Sequence, residues 1–577
     1  MFRPACLALV IGVVPFLLLV ACPPKAFGEV PEAAPGYGVG VRPLADVDRR
    51  DLAPPDVEAL LAEDLWNAVS PPAIGDRLPI LSPPGPRRFA TPLAVSLSPA
   101  DAGSWEEPVP GTRLWRLRID SEGALALSFF FDRFDLPEGA QLRVMDPFGL
   151  QRLGPFTGDA KGGRLWTPVL QGDRAVVELW LPAGVATDFE LRLAEVYYGY
   201  RPLGRSAGTQ GTCHIDAICD EVGPYRDQAQ AVAVYTLDGV FQCTGTLLNN
   251  TARDRRPLFL TADHCQVDAD NAASVVVYWN FQSPVCGALS GGSLEDHQLG
   301  ATWLADDRLS DVTLLLLDGV PDPSFGVAWA GWDVRGTAPA ASFSVHHPSS
   351  EEKAVSFDDD DAEGLDLFGS GVESHWRVVD WDRGSTEGGS SGACLFDRPG
   401  KRCVGVLSGG FASCVTPEGE DWYGKLSVAW DGGDTPQSPL REYLDPVSTG
   451  ETHLDALVEP FQCREDEATH CLQGGRFRVR VGWRDFEGSQ GPAFTAVSAD
   501  DSGLFWFFES DNWEMLVKVL DGCGLNQRFW VFAAATTNVG YVLEVTDSLT
   551  GTVATWENPV GVAAPALTDT DAFATCP

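Results

Sequence analysis

Residues 114–119 read Leu-Trp-Arg-Leu-Arg-Ile, an alternation that puts every second side chain on one face of an extended strand. The same texture returns at Gln141-Leu142-Arg143-Val144, Val176-Val177-Glu178-Leu179-Trp180 and Phe189-Glu190-Leu191-Arg192-Leu193. Gly, Pro and Asp fill the gaps, as they do between antiparallel strands. A β-sandwich is therefore expected over about residues 100–200. That stretch holds no His and no Cys, so it lacks the usual catalytic base and nucleophile. Residues 206–460 carry shorter strands, among them Ala231–Leu237, Val275–Trp279 and Val312–Leu317, enough for two small barrels. Residues 461–577 alternate again at Phe477–Val481, with further strands at Phe505–Phe508, Leu516–Leu520, Phe529–Ala533 and Tyr541–Val545. The fold class is all-β. Residues 29 to about 95 are rich in Pro and Ala and read as an extended linker with one short helix, Pro55–Val69.

The N-terminus fixes the compartment. Met1-Phe2-Arg3 is followed by an apolar run from Ala5 to Ala21, a signal-peptide pattern over residues 1–28. Ala26-Phe27-Gly28 suits ordinary signal peptidase, whereas Leu19-Val20-Ala21-Cys22 resembles a lipobox that would leave Cys22 acylated. Either route exports the protein: secretion is expected, with a lipid anchor at the bacterial envelope as the alternative. No later stretch is long and apolar enough to span a bilayer. Export makes the cysteines informative. Fourteen occur, and removing Cys6 and Cys22 leaves twelve, an even set that implies disulfides. Close C-x-x-C or H-x-x-x-H pairs are missing, so no metal and no other cofactor is expected. Asp358-Asp359-Asp360-Asp361 lacks the ligand spacing of a calcium loop and reads as a solvated surface loop, and His346-His347 as scaffold. With 81 acidic against 41 basic residues, a formal charge of −40 excludes nucleic acid and disfavours anionic membrane surfaces.

Three segments of residues 206–460 carry chemistry. Phe259-Leu260-Thr261-Ala262-Asp263-His264-Cys265 runs a strand into a His. Ser310-Asp311-Val312-Thr313 puts an Asp at the mouth of an apolar strand. Gly388-Gly389-Ser390-Ser391-Gly392 flanks a Ser with glycines. A Ser hydroxyl is a poor nucleophile unless a base takes its proton. His264 can do so, Asp311 would hold the imidazole, and the N–H groups of Gly389 and Ser391 can converge on an oxyanion. Asp306 and Asp307 compete with Asp311, but they lie in a polar turn.

These segments resemble the T-A-x-H-C and G-x-S-G motifs of chymotrypsin-fold serine proteases. More narrowly, residues 206–458 resemble the bacterial lysyl endopeptidase family. The matching segments are Cys213–Cys219, Cys243–Thr251, Trp329–Asp333, His346-His347-Pro348 and Thr386–Gly392. The resemblance implies a chymotrypsin-like double β-barrel over 206–460, flanked by an N-terminal region (29–205) and a C-terminal unit (461–577), both sandwich-like. It implies disulfides Cys213–Cys414, Cys219–Cys286 and Cys243–Cys265. Cys394 and Cys403 have no family counterpart; they flank the turn Asp397-Arg398-Pro399-Gly400, which suggests a hairpin bridge. Cys463, Cys471, Cys523 and Cys576 can pair among themselves in three ways.

The family also places an acid at the base of its side-chain pocket, in a D-x-Y-G segment that Asp421-Trp422-Tyr423-Gly424 matches. Ser408-Gly409-Gly410 would line the pocket wall, with Thr386 beside it. Lysyl-specific members carry His where this chain has Ser408, so basic specificity is expected without a set preference for Lys over Arg. Ser390 replaces the Asp that animal relatives use to receive a new N-terminus, so activation is expected to differ. Residues 29–205 are expected to be a folding propeptide removed near Arg205-Ser206. The reading is a monomeric secreted serine endopeptidase acting on protein or peptide substrates. The alternative is an inactive homologue serving in adhesion.

Overall fold

The computed structural model describes residues 41–69, 85–158, 160–185, 188–203, 213–416, 418–432, 439–458, 463, 465 and 467–576. The leader, Cys22 and Arg205-Ser206 lie outside the described residues.

The first unit is a sandwich. One sheet runs in the order Arg49–Asp51, Arg113–Asp120, Arg174–Leu181, Gln141–Met145, Arg152–Phe156, with Ser104–Glu106 beside Arg113–Asp120. The other runs Leu170–Gln171, Ala126–Asp135, Glu190–Gly199, Ala90–Leu97. Alternate residues such as Leu117, Ile119, Val177, Leu179, Leu193 and Val196 turn inward and meet Phe129 and Phe131 in one apolar cluster. Each such side chain contributes about 1.5–3 kcal/mol by leaving water. The helix is Val57–Val69. The linker expectation for residues 29–95 is corrected at its ends. Arg49–Asp51 pairs parallel to Arg118–Asp120, and Ala90–Leu97 forms an edge of the second sheet. Pro92 sits in that strand, and an edge position is where Pro is tolerated.

The central unit is built from two sheets. One follows the order His297–Leu299, Val276–Tyr278, Val232–Leu237, Phe241–Leu248, Leu258–Thr261, Val312–Leu317, Ala301–Asp307. The other follows Ile215–Asp216, Ala354–Asp358, Ser342–His346, Cys394–Asp397, Arg402–Gly410, Asp421–Lys425, His375–Val378, Glu363–Leu365. One apolar cluster joins them, with Phe259, Leu260, Leu314 and Trp279 from the first meeting Phe343, Val355, Phe396 and Val406 from the second. Four disulfides staple the unit: Cys213–Cys414, Cys219–Cys286, Cys243–Cys265 and Cys394–Cys403. Their Cα separations of 5.5, 4.9, 6.4 and 5.6 Å lie in the range a disulfide spans without backbone distortion.

The last unit is a second sandwich of two five-stranded sheets. Phe477, Val479 and Val481 face inward while Arg478 and Arg480 are half-exposed, and Val517, Val531, Leu543 and Val545 complete the core. Cys463 bonds Cys471, and Cys523 bonds Cys576. Among the described residues no helix is long and apolar enough to cross a membrane.

Candidate active site

His264 sits in a short turn, Asp263–Cys265, immediately after the buried strand Leu258–Thr261. The bridge from Cys265 to Cys243 fixes that turn to the neighbouring strand. Asp311 approaches from the loop that opens Val312–Leu317. Its backbone is left-handed, φ 53°, a conformation Asp enters more readily than most residues. The result is a two-point grip. The carboxylate of Asp311 accepts the His264 main-chain N–H at 2.8 Å and lies 2.7 Å from ring Nδ1. Both side chains are nearly buried, 7% and 4% exposed. Holding Nδ1–H against the carboxylate leaves Nε2 as the free base, and Nε2 is buried with no hydrogen-bond partner, the Ser391 hydroxyl included.

Ser391 reaches the same place through its backbone. Thr244 donates its N–H to the Ser391 carbonyl at 2.8 Å. Gly392 follows at φ +89°, and a Cβ there would run into the Thr244 carbonyl and the Thr261 hydroxyl, with Ala262 N 3.2 Å away. Only Gly lets the Ser391 loop lie this close to the strand leading into His264. Ser390, Gly392 and Ala393 spend their N–H groups on Glu387, Leu407 and Ser390 carbonyls. Among the described residues the N–H groups of Gly389 and Ser391 have no protein acceptor.

The residue before Ser391 anchors the loop. Ser390 Oγ is 2.9 Å from His346 Nδ1, and His346 Nε2 is 2.9 Å from Ser356 Oγ. Burial holds His346 well below its ordinary pKa, so it stays neutral. His347 likewise serves the scaffold, meeting the Glu351 carbonyl through Nδ1 at 2.8 Å and stacking on Phe281.

Asp421 is 1% exposed. Thr386 Oγ1 donates to it at 2.6 Å and Trp381 Nε1 at 2.7 Å. Gly410 pairs opposite Asp421 with its backbone against the carboxylate, and Gly409 lies opposite Trp422. Among the described residues no cation pairs with Asp421, and burial pushes its pKa up to about 6. A charge kept dry without a partner is costly, and an entering ammonium or guanidinium would relieve that cost. Gly424 lets the same strand cross Ser310, where a Cβ would collide with the carbonyl. The strand carrying Asp421 thus packs on the residue before Asp311. Ser408 is fully buried, its Oγ 3.1 Å from His375 Nε2.

Sequence reasoning missed Trp381 and His375. Trp381 lies in a polar stretch, Asp380-Trp381-Asp382, where a lone Trp was the available signal. The acidic run also differs from a uniformly solvated loop: Asp358 is buried at the end of a strand, while Asp359–Asp361 are exposed.

The two sheets and their shared core define an all-β class of protein. Its particular likeness is to the lysyl endopeptidases. The family model described as lysyl endopeptidase, C-terminal domain, matches residues 207–424, and that described as lysyl endopeptidase N-terminal domain matches 87–196. The lysyl endopeptidase of Pseudomonas aeruginosa is 32% identical over 307 residues, 49% of this chain and 63% of that protein. The chain thus spans under two thirds of the length of that relative. Among solved structures, the active form of the Rv3671c protease from M. tuberculosis aligns with 16% identity and a TM-score of 0.25, covering 40% of this chain and 87% of that one. Kallikrein-related peptidase 10 in complex with Zn2+ aligns with 15% identity and a TM-score of 0.25, covering 34% and 89%.

Proposed function

We propose that the chain is an exported serine endopeptidase that cleaves after basic residues through an acyl-enzyme on Ser391. The observation that carries this reading is the double grip of Asp311 on His264, with Nε2 left unpartnered beside the Ser391 loop. A substrate Lys or Arg side chain enters toward Asp421, past Thr386, the main chain of Ser408, Gly409 and Gly410. His264 Nε2 takes the Ser391 proton as Oγ attacks the carbonyl carbon. The oxyanion accepts hydrogen bonds from the N–H groups of Gly389 and Ser391, each worth roughly 3–4 kcal/mol of barrier. His264 then protonates the leaving amine, and water repeats the sequence to release the acid. The Ser391–His264 hydrogen bond forms as substrate binds, since such contacts are often loose in the resting enzyme.

Residues 206–460 are the catalytic unit in this reading, and 29–205 a pro-region removed near Arg205-Ser206. The six disulfides among the described residues suit an oxidising, extracellular setting. A fluorophosphonate probe should label Ser391 in the wild-type chain and not in Ser391→Ala. Mass spectrometry of a digested denatured protein should then show cuts after Lys and Arg. Absence of both labelling and cleavage would overturn the proposal. N-terminal sequencing should find a start at Ser206, and full activity with a start at residue 29 would overturn the pro-region.

A further inference from the structure

Three connections leave the C-terminal sandwich at the same end: residues 507–514 after Ser502–Trp506, residues 536–539 after Phe529–Ala535, and residues 559–566 after Val553–Asn558. Together they shape an open pocket of about 590 Å³, within the usual size of a small-ligand site. The loops are fixed to one another from behind. The Asn558 side-chain amide donates to the carbonyls of Val562 at 2.9 Å and Val539 at 3.3 Å, which ties the third loop to the second. The Thr536 N–H reaches the Glu514 carbonyl at 2.8 Å and ties the second to the first.

The pocket is polar at its base and aromatic at its wall. Glu514 is 5% exposed, and its carboxylate accepts the Phe507 N–H at 2.6 Å and the Asn512 side-chain amide. Burial pushes that carboxyl above its ordinary pKa, and each oxygen keeps room for a second donor. In the second loop Asn538 is exposed, and among the described residues its side chain meets no protein group. Thr537 accepts the Val539 N–H at 3.2 Å, which leaves its O–H free to donate. Phe508 supplies the wall: it is 47% exposed, and Trp483 braces its ring at 4.9 Å. Phe486, 61% exposed, stands beside Gly561 of the third loop. Among the described residues no Lys, Arg or His lines the pocket.

These groups select a ligand by class. An anion would meet a carboxylate and no cation. A purely apolar ligand would leave the carboxylate and the amides dry and unpaired. A pyranose answers each of them: its hydroxyls donate to Glu514 and both donate and accept at Asn538 and Thr537, while its C–H face, positive in sign, rests on the negative face of Phe508. We propose that this end of the C-terminal sandwich is a saccharide-binding site, taking a neutral oligosaccharide with one ring over Phe508 and its hydroxyls on Glu514 and Asn538. The sandwich is docked on the unit that carries Ser391, with Gln490 Nε2 donating to the Ser290 carbonyl at 3.0 Å and Gly482 against Pro284. Bound glycan is thereby held to the catalytic unit. The site itself does not rest on the peptidase reading.

The test uses the full chain as Ser391→Ala in isothermal titration calorimetry. The probes are cellotetraose, N-acetylchitotetraose, mannotetraose and maltotetraose, with tetramethylammonium as the cationic control. At least one sugar should bind with a Kd between about 10 μM and 1 mM. Phe508→Ala should weaken it about tenfold, the size of one lost aromatic contact. Asn538→Ala, a surface change that removes no protein contact, should weaken it roughly three- to tenfold and covers the case in which Phe508→Ala disturbs its loop. No heat from any sugar at about 10 mM, where even millimolar affinity would register, would overturn the proposal. So would equal affinity in the parent and both variants, or a control cation that binds more tightly than every sugar. A second measurement locates the site: bound sugar should slow hydrogen exchange across residues 507–514 and 536–539, and protection confined to other segments would also overturn it. Sugar binding by a chain whose Ser391 form cleaves nothing would sink the peptidase reading alone. Cleavage by a chain that binds no sugar would sink this site alone.

Discussion

Asp311 and Asp421 are both buried carboxylates of the same unit, and their surroundings differ in one respect. Asp311 has a permanent partner: two nitrogens of His264 occupy its oxygens. Asp421 accepts from Thr386 and Trp381, neither of which carries charge, and it rises to about 6. The first environment is complete and suits an orienting role. The second is incomplete and suits a group awaiting a cation. A buried acid is thus read by what it lacks as much as by what it touches.

The sharpest way to break this contrast is Asp311→Asn. An amide can turn its NH₂ toward Nδ1 and hold the wrong tautomer, so kcat should drop by about 10⁴-fold with KM little changed. Steady-state kinetics on one Lys peptide would show it, and a loss confined to KM would overturn the orienting role. Asp421→Asn should act the other way. Removing one partner of a buried ion pair costs about 3 kcal/mol, so kcat/KM for Lys and Arg peptides should fall at least roughly 100-fold. Peptides with a neutral residue there should be cleaved as before. Equal losses on both substrates would remove Asp421 from the pocket.

Acidity sharpens the contrast further. The Asp421 carboxyl titrates near 6 in the folded chain against an ordinary 3.8. Between those values the folded chain binds more protons than the unfolded one, so stability falls as pH rises through the window and levels off above it. The pocket gains its charge over the same range. The ratio of kcat/KM for basic over neutral peptides should therefore climb as pH passes about 6. In Asp421→Asn the ratio should be flat, and the melting temperature should rise relative to wild type at pH 8 but not at pH 4. A ratio that stays steep in the Asn variant would assign the titration elsewhere.

The all-β class was legible because alternation is local: Leu117, Ile119, Val479 and Val481 announce their inward faces without reference to distant residues. The candidate triad was legible for a similar reason, since each member stands in a short distinctive segment. The turn at Asp397–Gly400 suggests Cys394–Cys403 in the same way. What stayed hidden depends on meetings between distant residues. Arg87–Arg88 is two residues long in a Pro-rich stretch and has no pattern of its own; it becomes a strand because Phe241–Leu248 leaves an edge open. Trp381 and His375 acquire roles only through Asp421 and Ser408, 40 and 33 positions away.

Replacing Ser408 has the smallest expected effect. Its hydroxyl lies 3.1 Å from Nε2 of His375, whose Nδ1 meets Ser374 Oγ at 2.8 Å. Burial pushes His375 down to about 4 despite the opposing pull of Asp311, so the ring is neutral above that pH. Ser408→Ala would leave one ring nitrogen unpaired in the interior, a cost of about 1–3 kcal/mol in stability. The donors of Asp421, Thr386 and Trp381, are untouched by that change. KM for basic peptides should therefore hold, while kcat falls a few-fold through the packing behind Asp311. A change in KM equal to that in kcat would mean that Asp421 and the Asp311–His264 pair share one support, and that the two carboxylates are not independently held.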